Sequence, residues 1–167
     1  MTLGLKSLLL YKNELMRLAL HITMDRAEAE DVVQETYIKV WNQHDRWNEI
    51  ENMKAFCLTV CRNLALDRKR TAKEKTESID SLPVEQVGVF DPAEQAEHNE
   101  KIALIRSVMQ QLPEKQCTAM QLRDFEGYSY KEISDIMQVP EQQVKISIFR
   151  ARQAIKQKIL EKKQPEL

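Results

Sequence analysis

The residues best suited to molecular recognition lie in a basic segment, residues 141–160. Drawn as a helix, this segment gathers amide, guanidinium and apolar side chains on one side. Amides and arginine hydrogen-bond to base edges in a DNA major groove, and apolar atoms contact the thymine methyl group. The pattern therefore predicts a DNA-reading face. Its residues are Gln142, Gln143, Ile146, Phe149, Arg150 and Gln153.

The charge of this segment supports the same prediction. From Pro140 to Lys163 the sequence has seven basic residues and two acidic ones, and a net positive charge attracts the phosphate backbone. The alternative is an amphipathic surface helix whose charged residues only face solvent. Core packing does not explain the outward Ile146 and Phe149, and this favours DNA contact.

Two predicted helices with a tight turn between them position this face. Ser129 and Glu132 form a capping-box sequence that opens a short helix, and Pro140 ends it. The second helix begins near Glu141 and runs to about Leu160. Its apolar stripe can pack on the first helix, which makes the pair a helix-turn-helix. The stripe comprises Val144, Ile148, Ala151, Ile155 and Ile159.

The composition favours an all-α protein of one or two small domains. The chain has 167 residues, 43% of them hydrophobic and 31% charged, with only three glycines. Its net charge is −1, so attraction of nucleic acid must come from local patches. No signal-peptide layout and no apolar run of membrane-spanning length are visible, and we expect a cytoplasmic protein.

Three cysteines make an odd number, which predicts reduced thiols. Cys57 and Cys61 lie on one predicted helix face, where they could bind a metal or sense redox state. None of the three histidines is near them in sequence, so we interpret them as small buried apolar residues. We predict no metal site and no cofactor.

The chain is predicted to fold as two small helical domains joined by a flexible acidic linker. We expect a first domain over residues 1–73, the linker over 74–90 and a second domain over 91–167. The linker is acidic, and Pro83 and Gly88 interrupt its periodicity. In the first domain we predict an apolar-periodic helix from Leu8 to Ile22, a helix over 26–43 that Asp25 caps, a polar loop over 44–52 and a helix over 53–73. In the second domain, before the helix-turn-helix, we predict a helix that starts at Asp91-Pro92 and ends near Leu112, and a helix from Pro113 to Glu126.

The helix over 26–43 is predicted to have an acidic outer face with Ile38 in its midst. An apolar residue among charges indicates a protein-binding surface, and plain solvation is the alternative. Its core side is predicted to hold Ala29, Val33, Tyr37, Val40 and Trp41. The outer face holds Asp31, Gln34, Glu35, Ile38 and Asn42.

The helix over 53–73 is predicted to combine a core side with a basic outer arc. Arginine and lysine at its end also suit the helix dipole, but their density predicts a phosphate-binding patch. The core side holds Met53, Phe56, Cys57, Val60, Cys61 and Leu64. The outer arc holds Thr59, Arg62, Asn63, Lys69 and Arg70, with Arg68 in the basic run.

These motifs resemble a known family. AEDVVQETYIKVW, residues 29–41, looks like region 2.2 of bacterial sigma-70-type sigma factors, and AFCLTVCRNLALDR, residues 55–68, resembles regions 2.3 and 2.4 of the extracytoplasmic-function (ECF) group. Region 4 is resembled by LPEKQ, which begins at residue 112, by RDFEGYSYKEI, which begins at residue 123, and by VK at residues 144–145 with FRAR at residues 149–152. The order and spacing match over nearly the whole chain.

The resemblance implies a promoter-specificity subunit of RNA polymerase, with a σ2-like and a σ4-like domain and no catalysis of its own. It implies two partners: core polymerase, bound through its β′ clamp helices and β flap, and promoter DNA. An anti-sigma factor is a further candidate partner. The polymerase-binding residues would be Asp31, Gln34, Glu35, Ile38 and Trp41. The −10 residues would be Arg62, Asn63, Arg68, Lys69 and Arg70, with the 44–52 loop before them. The −35 residues would be Gln142, Gln143, Lys145, Ile146, Ser147, Phe149, Arg150 and Arg152.

Two positions depart from the family pattern. Ile146-Ser147-Ile148 stands where relatives commonly have Ser-Arg-Leu or Ser-Arg-Ile, so the preferred −35 sequence should differ. Gln138 stands where the helix-turn-helix usually has glycine. Two other functions remain open from the residues alone: a stand-alone helix-turn-helix regulator that dimerises on palindromes, and an interaction protein that sequesters a partner.

Overall fold

The computed structural model describes residues 4–78 and 96–163. In this part of the chain every regular element is helical, which confirms the predicted all-α class. The chain divides into two compact units, residues 1–87 and residues 88–167. The junction between the units falls inside the segment predicted as the linker.

The described part of the first unit, residues 4–78, is built from four α-helices and one 3₁₀ helix. The elements are α1 (Leu5–Leu9), α2 (Lys12–Thr23), α3 (Arg26–Asn42), the 3₁₀ helix (His44–Glu49) and α4 (Met53–Ser78). Helices α2, α3 and α4 pack on one another. Leu8 of α1, Leu15 of α2 and Leu58 of α4 are among the fully buried side chains.

A left-handed residue and an N-cap separate α2 from α3. Met24 ends α2 with φ 57°, and the Asp25 carboxylate accepts a hydrogen bond from the Glu28 N–H at 3.1 Å. The predicted N-cap is confirmed. The Glu28 side chain does not complete a capping box by bonding back to the Asp25 N–H. The Glu28 carboxylate instead accepts a hydrogen bond from Arg68 at 2.9 Å.

Three predictions for this unit need correction. The first helix is interrupted, because the N–H groups of Leu10 and Tyr11 bond to carbonyls three residues back and close α1 with a tight turn. The loop predicted over residues 44–52 contains the 3₁₀ helix. Finally, α4 continues to Ser78, past the predicted start of the linker.

The described part of the second unit, residues 96–163, is a cluster of four α-helices around a small apolar core. The elements are α5 (Ala96–Met109), α6 (Glu114–Met120), a π-helical turn (Gln121–Phe125), α7 (Tyr130–Met137) and α8 (Glu141–Lys163). Helices α5, α6 and α7 all pack on α8. Val108, Met109 and Ala151 are among its most buried residues.

The helix predicted from Pro113 to Glu126 changes its hydrogen-bonding pattern part-way. After Met120 the backbone widens into the π-helical turn, where the Glu126 N–H bonds to the Gln121 carbonyl at 3.1 Å. Gly127 then takes a left-handed φ of 78°, which is accessible to glycine at little cost. The helix start predicted at Asp91-Pro92 and linker residues 79–90 lie outside the described residues.

Candidate DNA and polymerase interfaces

The helix-turn-helix forms as its sequence predicts. The Ser129 Oγ accepts from the Glu132 N–H at 3.1 Å, and the Glu132 carboxylate accepts from the Ser129 N–H at 3.2 Å. Gln138 ends α7 in a left-handed conformation with φ 57°, and its amide donates to the Asp135 carbonyl at 2.6 Å. This position costs a non-glycine residue about 1 kcal/mol, and the side-chain bond offsets part of it.

Helix α8 separates a buried stripe from an exposed face. Val144, Ile148 and Ala151 are at most 2% exposed. On the other side Ile146 is 42% exposed and Phe149 is 63% exposed. Large apolar side chains left in solvent on a basic helix suit contact with thymine methyls. The polar residues of this exposed face are Gln142, Gln143, Lys145 and Arg150, with Ser147 partly buried beside them.

Arg152 differs from the rest of the predicted −35 set because it is already paired. Its Nε lies 3.0 Å from Oδ2 of Asp124, and its Nη2 lies 2.5 Å from Oδ1 of the same carboxylate. These hydrogen bonds raise the pKa of the Arg152 guanidinium above its usual range. The bidentate pair ties α8 to the π-helical turn, so the Arg152 guanidinium is engaged within the second unit.

On α4 the predicted −10 residues fall into three environments. Arg62 is only 8% exposed, so its assignment to the outer arc is wrong. Asn63 and Lys69 are exposed. Arg70 is also exposed, and its Nη2 lies 2.7 Å from Oδ1 of Asp67. Fewer of the predicted −10 residues are therefore exposed on α4 than the sequence predicts.

Arg68 points away from this surface toward α3. Its Nη1 lies 2.9 Å from Oε2 of Glu28 and 3.4 Å from Oδ2 of Asp31, and its Nη2 hydrogen-bonds to Glu35. The hydrogen bonds with Glu28 and Glu35 raise the pKa of the Arg68 guanidinium above its usual range. Three residues of α3 thus hold one side chain of α4.

The outer face of α3 carries exposed polar and apolar side chains together. Asp31 and Gln34 are exposed, and Glu35 is half-buried against Arg68. Ile38 is 60% exposed and Trp41 is 42% exposed. The predicted polymerase-binding residues therefore lie on one accessible face of one helix.

The chain was compared with proteins of known family. Residues 9–75 match the family described as Sigma-70 region 2, and residues 102–155 match the family described as Sigma-70, region 4. The ECF RNA polymerase sigma factor SigM of Bacillus subtilis is 32% identical over 149 residues, which cover 88% of this chain and 89% of SigM. The RNA polymerase sigma-H factor of Pseudomonas aeruginosa is 29% identical, over 87% of this chain and 80% of that protein.

The chain belongs to the ECF RNA polymerase sigma factor family.

Two solved structures of similar fold are protein complexes. The sigma factor RpoE from Bartonella quintana, in complex with the anti-sigma factor NepR, aligns with a TM-score of 0.75 at 24% identity, over 95% of this chain and 97% of RpoE. CnrH, in complex with the cytosolic domain of CnrY, aligns with a TM-score of 0.68 at 18% identity, over 95% of this chain and 88% of CnrH. At these identities the likeness concerns the fold.

Sequence reasoning missed an aromatic–cation cluster in this sigma factor. The Arg123 guanidinium lies 4.4 Å from the centre of the Tyr130 ring, and the Lys145 ammonium lies 5.4 Å from it. Arg123 also donates to the Tyr128 carbonyl at 2.9 Å. The cluster joins the start of α7 to Lys145 on the exposed face of α8. No periodicity signals it, because its members come from three different elements.

The tryptophan prediction of the sequence analysis was partly wrong. Trp41, assigned to the core, is exposed and stacks on His44 with ring centres 5.0 Å apart. Trp47 is the buried one, and its Nε1 donates to the Val40 carbonyl at 2.9 Å. The buried indole thus ties the 3₁₀ helix to the end of α3.

The cysteines of this sigma factor are buried in its two units. Cys57 and Cys61 are fully buried, as predicted, and burial raises the pKa of each thiol to about 12. Within residues 4–78 and 96–163 no group of histidine, cysteine and carboxylate side chains could hold a metal ion. Over the same residues no helix is long and apolar enough to span a membrane.

Proposed function

We propose that this sigma factor reads the −35 element of its promoters through the exposed face of α8. The observation that carries the proposal is the pairing of two exposed apolar residues, Ile146 and Phe149, with basic and amide side chains on a helix whose opposite stripe is buried. Arg150 and the two glutamines supply hydrogen bonds to base edges, and Lys145 supplies charge toward phosphate.

The −10 element is assigned to α4 and the 3₁₀ helix before it. Lys69 and Arg70 supply exposed positive charge, and Asn63 supplies a side chain able to bond to a base or a phosphate. Opening the duplex costs a few kcal/mol of unpairing, so contacts with the separated strand and with polymerase must offset it. Arg62 and Arg68 are left out of this surface because they are buried or paired.

Core polymerase is assigned to the outer face of α3. Ile38 and Trp41 form an apolar surface flanked by acidic and amide side chains, and such a surface suits a basic partner helix pair like the β′ clamp helices. The β flap is the corresponding proposed partner of the second unit. A cytoplasmic location follows, since bacterial polymerase and chromosome are there.

An anti-sigma factor is a further proposed partner. The support is that the RpoE structure of similar fold was solved with its anti-sigma factor bound. Binding of such a protein over the α3 face would exclude polymerase and keep the sigma factor inactive.

The two-unit match argues against a stand-alone DNA-binding regulator. Relatives such as SigM align over both units, whereas a dimeric helix-turn-helix regulator needs only the second. The test is footprinting of promoter fragments with the chain alone, with core polymerase alone and with both. We expect a protected −35 and −10 pair only when both are present. Protection of a palindrome by the chain alone would contradict the proposal.

Promoter identity is measured in the same system. Run-off transcription with purified core polymerase on genomic fragments, followed by mapping of start sites, should give starts at a fixed distance from a shared pair of sequence elements. The control is a chain with Arg150→Ala, which should lose the specific starts while retaining affinity for core polymerase, since Arg150 lies on α8 and not on α3.

A further inference from the structure

Arg68 joins the two helices that carry the polymerase-binding and −10 surfaces. It extends from α4 and meets Glu28, Asp31 and Glu35, which follow one another along a single face of α3. Its side chain is 27% exposed, less than any of the three carboxylates. We propose that Arg68 is a positioning residue for polymerase binding, which holds Asp31 and Glu35 in the arrangement that meets core polymerase. The inference rests on the proposed role of the α3 face.

The electrostatics of the cluster argue against a DNA contact by Arg68. The Arg68 guanidinium and the three carboxylates around it together carry a net charge of −2. A DNA phosphate approaching this cluster meets net repulsion, and it has to displace carboxylates that already occupy the guanidinium donors. Lys69 and Arg70, the next two residues of α4, are not surrounded by α3 carboxylates in this way.

The geometry explains how Arg68 acts on the α3 face. The guanidinium is a planar fork with donors in fixed directions, so it holds several carboxylates in defined rotamers. Without it, Asp31 and Glu35 are like charges four residues apart on one helix and repel each other. They would move apart into solvent, and polymerase binding would then have to order them again, which lowers affinity.

The first measurement is the affinity of a dye-labelled full-length chain for core polymerase. We expect Arg68→Ala to weaken binding by roughly tenfold and Arg68→Lys to restore part of it, because lysine keeps the charge but lacks the fork. The matched control is Lys54→Ala. Lys54 also links α4 to a neighbouring helix, through Glu14 at 3.0 Å, but on α2 rather than α3. Its loss should leave the affinity unchanged.

The second measurement is the salt dependence of promoter binding by holoenzyme assembled at saturating sigma concentration. Each lost phosphate contact reduces the slope of log affinity against log salt by about 1. We expect Lys69→Ala to reduce the slope by that amount and Arg68→Ala to leave it as in the parent. A reduced slope for Arg68→Ala with unchanged core affinity would identify a DNA contact and overturn the inference.

Two outcomes separate this inference from a structural role and from failure of the proposed function. Equal losses of core affinity in Arg68→Ala and Lys54→Ala would show that Arg68 only stabilises the fold. Ile38→Ala tests the α3 face directly. If Ile38→Ala weakens core binding and Arg68→Ala does not, the inference alone fails. If neither weakens it, polymerase binds elsewhere and the proposed use of α3 fails as well.

Discussion

Arginines that look alike in the sequence occupy different environments in the folded chain. Arg150 and Arg152 are two residues apart on α8, yet Arg150 is exposed on the reading face and Arg152 forms a bidentate pair with Asp124. Arg68 and Lys69 differ in the same way on α4. Helical spacing predicts which residues point outward, but it does not show which carboxylate from another element meets them.

Substitutions on the reading face should separate specificity from affinity. We expect Ile146→Ala to change base preference at one −35 position by about 1–3 kcal/mol with a smaller change in affinity for other sites. Arg150→Ala should weaken promoter binding strongly, because it removes hydrogen bonds and a charge together. The measurement is holoenzyme binding to a library of −35 variants.

A matched control for these substitutions is available on the same helix. Gln157→Ala alters an exposed residue of α8 that lies outside the predicted reading face and should change neither quantity much. Unchanged promoter binding in both Ile146→Ala and Arg150→Ala would show that α8 does not enter the groove.

The buried thiols of the first unit predict a pH dependence of stability. Burial raises the pKa of Cys57 and Cys61 to about 12, from about 8.5 in an unfolded chain. The unfolded state therefore loses thiol protons first as pH rises. This contribution to stability is complete below pH ~8.5 and is lost between there and pH ~12.

The expected result is a steeper loss of unfolding free energy between pH 8 and pH 10 in the parent than in a Cys57→Ala/Cys61→Ala variant. The measurement is urea unfolding at each pH. Iodoacetamide labelling is the direct check: both thiols should react slowly in the native chain and rapidly in urea. Parallel pH profiles for parent and variant would refute the prediction.

At the scale of elements, the N-cap residues were the most dependable sequence signals, because they predicted where helices begin. Asp25 and Ser129 both cap the helices that they were predicted to cap. These signals act over three or four residues and need no knowledge of the tertiary fold. The π-helical turn, the 3₁₀ helix and the burial of Trp47 were not predicted, because neither helical periodicity nor a capping sequence signals them.

Removal of either cap should lower stability by about 1 kcal/mol. Asp25→Ala leaves the Glu28 N–H without its side-chain acceptor, and Ser129→Ala does the same to the Glu132 N–H. The measurement is thermal unfolding followed by far-ultraviolet circular dichroism. Lys131→Ala, an exposed neighbour of Ser129 with no part in the capping box, is the control and should stay within about 0.5 kcal/mol of the parent.

At the scale of the whole molecule, we expect the two caps to act independently, because they belong to different units. Asp25 belongs to the first unit and Ser129 to the second. Effects of mutations without shared partners add within about 0.5 kcal/mol. We therefore expect the double variant to lose the sum of the two single losses. A double variant much less stable than that sum would show that the units depend on each other for folding.

The sequence also predicts the two-domain organisation, because the first and second helical blocks carry complete and different patterns of core and surface residues. The individual interfaces follow less completely. Ile38, Ile146 and Phe149 could be identified because apolar side chains are conspicuous on polar faces. The aromatic–cation cluster around Tyr130 and the carboxylate cluster around Arg68 could not, since each depends on side-chain contacts between different elements.

The positions of the two tryptophans make intrinsic fluorescence a probe of one part of the molecule. The two tryptophans of the chain, Trp41 and Trp47, both belong to the first unit. Their fluorescence therefore reports unfolding of that unit. An emission-monitored melt should register Asp25→Ala and miss Ser129→Ala, although circular dichroism registers both. The exposed Trp41 ring should also shift its emission to shorter wavelength when a partner covers the α3 face.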